Sequence, residues 1–167
     1  MSSILAIDPG THESGWCRLV DGTVFASGVD DNEVLLVILA GEVPGFPQLR
    51  EAQRGDVLAI EMIASYGMAV GKEVFETCVW IGRFQQAWHT PRAVLKVYRG
   101  QVKQHLCGTA KAKDPNIRQA LLDKLGPQGT KKAPGPTYGV RSHAWAALAV
   151  AVTAAETMLG EAQGAAA

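Results

Sequence analysis

The chain has 167 residues, 47% of them hydrophobic and 19% charged, which suits one globular domain with a real core and excludes a disordered chain. No apolar run approaches the roughly 20 residues that a bilayer crossing needs, and the N-terminus lacks the basic-then-apolar pattern of a signal peptide. The formal net charge of +0 gives no sign by itself of a polyanionic partner.

Residues 3–8 (SILAID) read as a strand. Residues 15–20 read as a second, and Asp21-Gly22 is a hairpin signal leading into a third at 23–29. Asp30 and Asp31 can cap a helix over 33–40. Residues 41–55, with Pro44 and Pro47, read as irregular. Residues 56–61 (DVLAIE) form another strand pattern, followed by a loop at 64–70 containing Tyr66-Gly67-Met68. Residues 72–88 carry Val74, Phe75, Cys78, Val79, Ile81 and Phe84 at helical spacing, an amphipathic helix with a wide apolar face. That face suits a dimer interface and equally a one-sided core contact. A strand is expected at 91–97 and short helices at 99–106 and 115–125, the second opened by Asp114 as cap and Pro115 in the first turn. Residues 126–138, rich in Gly, Pro and Lys, read as a mobile loop. A long Ala-rich helix follows at 140–159. The pattern gives a single domain over 1–160 and a flexible tail at 161–167.

Three cysteines, Cys17, Cys78 and Cys107, are too far apart and too few for a disulfide framework or a zinc site, and fit a reducing cytosol. Charge is unevenly spread. Residues 1–91 hold 5 Lys/Arg and 12 Asp/Glu, whereas residues 92–132 hold 10 Lys/Arg against Asp114 and Asp123 alone. The basic stretch is either a phosphate-binding surface or a solvated helical face.

Two strands end in carboxylates, Asp8 and Glu61. Asp8 is followed by Pro9-Gly10, so a plain turn accounts for it as well. If the two strands are parallel neighbours, the carboxylates emerge together, and a hard cation such as Mg²⁺ would relieve their repulsion. His143, at the start of the last helix, is either a third ligand or a packing residue among Ala146, Ala147 and Val150.

Four stretches, "AIDPGTHESGW", "LAIEMIASYGMAVGKEVFETCVWIGRF", "VKQHLCGTAKAKDPNIRQALLDKLG" and "YGVRSHAWAALAVAV", resemble in order the RuvC-type Holliday-junction resolvases, most closely their phage-encoded relatives. The resemblance spans most of the chain. It implies an α/β ribonuclease H-like fold, a mixed five-stranded sheet flanked by helices. It also implies a Mg²⁺-dependent endonuclease, with Mn²⁺ as substitute, that cuts branched DNA as a homodimer in a bacterial or phage-infected cytoplasm.

By the same resemblance Asp8, Glu61 and His143 are the catalytic and metal-holding residues. Two ions would straddle the phosphate, with Asp8 bridging both, to leave a 5′-phosphate and a 3′-hydroxyl. Lys103 and Lys113 match the family's phosphate-contacting stretch, Lys111 lies between them, and Arg99 and Arg118 are expected to bind DNA with them. Tyr66 and Met68 would wedge between bases at the crossover, although Tyr66 can equally cap the core. One position departs from the family pattern: three residues after His143, where an Asp is common, stands Ala146. The chain is then either active without that ligand or a junction-binding module that does not cut. A third reading is a ribonuclease H-like nuclease acting on RNA–DNA hybrids.

Overall fold

A computed structural model describes residues 3–40, 57–88 and 94–158. The irregular stretch expected at 41–55, the first residues of the strand expected at 91–97 and the tail at 161–167 lie outside the described residues.

Strands β1 (Ser3–Asp8), β2 (Glu13–Val20) and β3 (Thr23–Asp31) form an antiparallel meander, and helix α1 (Asn32–Leu39) follows directly. Both residues of the β2–β3 turn have positive φ, Asp21 at 45° and Gly22 at 78°, the primed-turn geometry that matches strand twist. Asp31 caps α1, its side chain accepting from Glu33 N at 2.8 Å. Then come β4 (Val57–Met62), α2 (Lys72–Ala87), β5 (Leu95–Tyr98), α3 (Arg99–Cys107), α4 (Asp114–Leu125) and α5 (Ala144–Thr157). The sheet order is β3-β2-β1-β4-β5, with β4 parallel to both β1 and β5.

Side chains alternate across a strand, so the sheet buries two apolar faces. Leu5, Ile7, Leu58 and Ile60 face one way, onto Leu35, Ile38 and Leu39 of α1 and Ile81 and Phe84 of α2. Ile4, Ala6, Val57 and Ala59 face the other way, onto α5 with Val102 of α3 and Leu121 of α4. Helix α5 is buried nearly all round. Its alanines let it lie close against β1, β2 and β4, where longer side chains would hold it off the sheet. Among the described residues no helix is long and apolar enough to cross a membrane.

Three expectations need correction. Helix α5 starts at Ala144, not at residue 140, because Ser142 and His143 form a turn in which Ser142 has φ 47°. The cap of α4 is Lys113, whose backbone N–H is satisfied by Asn116 Oδ1 at 2.9 Å; Asp114 is instead the first helical residue, with its carboxylate free to point elsewhere. The segment after α4 is a tied hairpin rather than a mobile loop. Gly135 N donates to Gln128 O at 2.8 Å, Thr130 and Ala133 exchange backbone bonds at 3.0 and 3.1 Å, and the buried Thr137 hydroxyl donates to Gly126 O at 3.0 Å.

Candidate metal and nucleic-acid site

The parallel pairing of β1 with β4 runs to Ile7 opposite Ile60. The next residues, Asp8 and Glu61, therefore stand abreast, and alternation turns both toward the α5 side of the sheet. Their carboxylates come within hydrogen-bonding reach of each other. Burial, followed by the charge of Asp8, pushes Glu61 up to about 8. Burial also raises Asp8, opposed by the hydrogen bond from Glu61 and by Arg99. The pair thus holds on to a shared proton above the usual carboxylate range.

Glu61 Oε1 is met by Arg99 Nη1 at 3.4 Å, and the other arm of the guanidinium grips Asp114. Glu61 Oε2 is buried and has no hydrogen-bond donor. An oxygen so placed, beside a second carboxylate, is the donor set a hard divalent cation takes. His143 sits just before α5 with Nδ1 3.3 Å from Asp8 Oδ2, and its side chain is 60% exposed, so it is not the packing residue that its Ala-rich surroundings allowed. Asp8 is the carboxylate common to both contacts. Among the described residues, no group of three His, Cys, Asp or Glu is gathered tightly enough to hold an ion unaided. Mg²⁺ rarely demands one: it keeps several waters and binds through one or two carboxylates plus substrate phosphate.

Local packing fixes these positions. Ser14 Oγ donates to Asn32 Oδ1 at 2.6 Å, Asn32 Nδ2 donates to Gly10 O at 2.9 Å, and Gly10 N donates to Ser14 Oγ at 3.1 Å, which locks the turn that follows Asp8. A Cβ at Gly15 would collide with the backbone carbonyl of His143. Only glycine there allows the start of α5 to reach the end of β1.

A cleft of about 260 Å³ lies alongside, lined by Arg99, Asp114, Arg118, Ser142, His143 and Ala146. Ala146 is thus on the same cleft as His143, as one helical turn requires. A second cleft, of about 230 Å³, is bordered by Asp8, Glu61, Tyr66 and Arg99. Tyr66 and Met68 are 73% and 75% exposed, so Tyr66 does not cap the core. Tyr66 has φ 48° in a turn closed by Met68 N bonding to Ser65 O at 2.9 Å.

Of the basic residues, Lys111 and Lys113 are exposed and Lys103 is half-buried. Arg99 and Arg118 already have partners within the chain. Arg118 lies over the Trp145 ring at 4.7 Å and donates to Gln128 Oε1 at 3.1 Å. Sequence reasoning missed Asp114 as a site residue. Its place before Pro115 reads as a helix cap, and nothing local announces the ion pair with Arg99, 15 positions earlier.

A five-stranded mixed sheet in this order, with helices on both faces and carboxylates at the ends of β1 and β4, is the ribonuclease H-like fold. Among solved structures, the chain superimposes on Thermus thermophilus RuvC with a TM-score of 0.65 at 21% identity, covering 92% of this chain and 93% of that one. Against T. thermophilus RuvC in complex with Holliday junction substrate, the TM-score is 0.64 at 20% identity, covering 98% and 97%. At such identity the likeness is one of fold. No protein-family model and no curated protein matches the sequence.

Proposed function

We propose that this chain is a Mg²⁺-dependent endonuclease that resolves four-way DNA junctions by paired nicks, acting as a homodimer. The observation that carries the reading is the Asp8–Glu61 pair, with one buried Glu61 oxygen lacking any donor. The fold shared with a protein solved on a Holliday junction supports the choice of substrate.

In this reading Asp8 and Glu61 would hold Mg²⁺, or Mn²⁺ in its place, and Asp8 with His143 would serve a second ion. When bound, the metal supplies an ionised water near neutral pH and neutralises charge at the phosphate. The protein's own groups do the rest. Arg99, with Nη1 3.4 Å from Glu61 Oε1, favours the ionised form of the pair. With its proton on Nδ1, His143 donates to Asp8 and leaves Nε2 able to take a proton from water. Tyr66 and Met68, already exposed beside the carboxylates, would unstack a base step at a crossover for a few kcal/mol. Lys103, Lys111 and Lys113 would meet the backbone, while Arg118 serves mainly to hold α4 against α5.

The direct test is a labelled four-way junction incubated with Mg²⁺ or with EDTA, with an RNA–DNA hybrid and a linear duplex as comparators. Symmetric nicks in the junction alone, lost in EDTA, are expected. Cleavage of the hybrid in preference to the junction would overturn the choice of substrate. Ala146 on the cleft favours one second reading, a junction-binding module that does not cut.

Binding should depend on salt. Each lost phosphate contact flattens the salt slope by about 1 unit. Lys103→Ala with Lys113→Ala is therefore expected to reduce the slope by about 2 without changing the melting temperature; an unchanged slope would put the DNA elsewhere.

The dimer rests on α2. Its inner face buries Ile81 and Phe84, while Phe75 and Val79 are each 63% exposed and Cys78 lies exposed beside them. With Gly82 they form a second apolar stripe at i, i+3, i+4 and i+7 spacing, and a second copy of the chain would cover it. A C2 pair would set two sites on the symmetry-related strands of a junction. Phe75→Glu with Val79→Glu is expected to convert a dimer to a monomer by light scattering at micromolar concentration. A wild-type chain that is already monomeric, with and without junction DNA, would remove the dimer.

A further inference from the structure

We propose that the hairpin at residues 128–135 is a rigid DNA-contact arm that holds Lys131 and Lys132 against the phosphate backbone beside the cleft; this deepens the nuclease reading and rests on it for the identity of the polyanion. The tip carries charge with no internal use. Lys131 and Lys132 occupy the turn between Thr130 and Ala133, both exposed, and among the described residues neither has an ion-pair partner. No acidic residue occurs between Asp123 and Glu156, so nothing in this part of the sequence offsets them.

The hairpin is built to keep its shape. Gly129 and Pro134 form an isolated antiparallel bridge, and Ala133 N also meets Thr130 Oγ1 at 3.2 Å. Gly129 has φ 70°, and a Cβ there would overlap the carbonyl of Ala133. A Cβ on Gly135 would overlap the carbonyl of Pro127. A loop serving only to connect α4 to α5 needs none of this.

The base is fastened to α4 and to the segment that leads into α5. Gln128 Nε2 donates to Val140 O at 2.9 Å, just before Ser142 and His143, and Gln128 Oε1 accepts from Arg118 of α4 at 3.1 Å. The lysines are therefore carried at a fixed offset from the edge that holds His143. With the backbone already ordered, binding costs only the freedom of the lysine side chains themselves, and each phosphate they neutralise releases counterions.

The test measures binding of the full-length protein to a labelled four-way junction and to a matched linear duplex by fluorescence anisotropy in EDTA, between about 50 and about 200 mM salt. Lys131→Ala with Lys132→Ala is expected to weaken binding about tenfold or more at the lower salt and to flatten the salt slope by about 1.8 units. Lys131→Arg with Lys132→Arg is expected to retain the wild-type slope. Gly135→Ala keeps both lysines but breaks the hairpin, and is expected to weaken binding at unchanged net charge. A Lys-to-Ala double variant with wild-type affinity and slope on a junction that the wild type binds would overturn the arm and leave the nuclease reading standing. A wild type that binds duplex and junction equally, with the lysine dependence intact, would leave the arm standing and overturn the four-way junction as the preferred substrate. Failure of the wild type to bind either DNA would overturn both, and Gly135→Ala binding like the wild type would overturn the rigid presentation.

Discussion

Replacing Glu61 with glutamine is expected to raise the thermal stability of the metal-free protein at pH 8 while lowering junction nicking by about 100-fold or more. The two effects have one cause. In the folded chain burial and Asp8 push Glu61 up to about 8 from its ordinary 4.5. Between those two values the folded state binds more protons than the unfolded state, so wild-type stability in EDTA should fall as pH rises through that window and level off above it. Asp8 is raised in the same direction and adds to the slope at its lower end. Glutamine cannot titrate, so the variant should lose most of this dependence. Near pH 8 its advantage should be at least on the order of 1–3 kcal/mol, the cost of leaving a buried polar group without its partner, or about 2–4 °C for each kcal/mol. Adding Mg²⁺ should reverse the ranking. An ion at about 100 times its dissociation constant stabilises the wild type by about 2.7 kcal/mol and leaves the variant nearly unmoved. Melting curves in EDTA and in Mg²⁺ across the window decide it; parallel pH profiles for the two proteins, with no Mg²⁺-induced rise in the wild type, would rule out a cation site at this pair.

Ala146 offers the second large effect. It shares the 260 Å³ cleft with His143, so Ala146→Asp puts a carboxylate toward the same edge. If the chain binds junctions without cutting them, the added oxygen should bring nicking up by about 100-fold or more. If the chain already cuts with His143, the new charge crowds a site that Asp114 and Glu61 already make acidic. Activity should then stay level or fall, and His143→Ala should abolish it. The pair of variants, assayed on one junction in Mg²⁺, gives opposite outcomes for the two readings. No nicking by the wild type or by Ala146→Asp would leave the binding module as the better account.

The β-strands and the strand-end carboxylates were legible because they depend on local pattern. The short apolar runs in SILAID and DVLAIE, rich in residues that favour strands, mark strands wherever they occur, and a carboxylate closing each is conspicuous. What pattern does not carry is the partner across the fold. Arg99 reads as one more cation in a basic stretch, yet it spans Glu61 and Asp114 because α3 begins directly after β5, the neighbour of β4. Asp114 was hidden by the stronger local signal of the following proline. Residues 126–138 misled for a related reason. Glycine and proline mark mobile loops and tight hairpins alike, and the deciding contacts, at Gly129 and Gly135, exist only once the chain has turned back on itself. On α2 the wide apolar pattern concealed two stripes, one buried and one exposed, which composition alone cannot divide.

The contact of His143 with Asp8 joins positions 135 residues apart, and it has a consequence for timing. While the chain is being synthesised, Asp8 and Glu61 are made long before α5. One face of the sheet waits for α5, which supplies a large share of that core through Ala144, Trp145 and the run from Ala147 to Val152. Contacts so distant in sequence are late and slow to form, and here they coincide with completion of the site. A chain cut short before residue 143 would be an unfolded fragment with an open sheet face, not a half-built enzyme. Any power this protein has to break DNA is acquired in the same step that makes it stable.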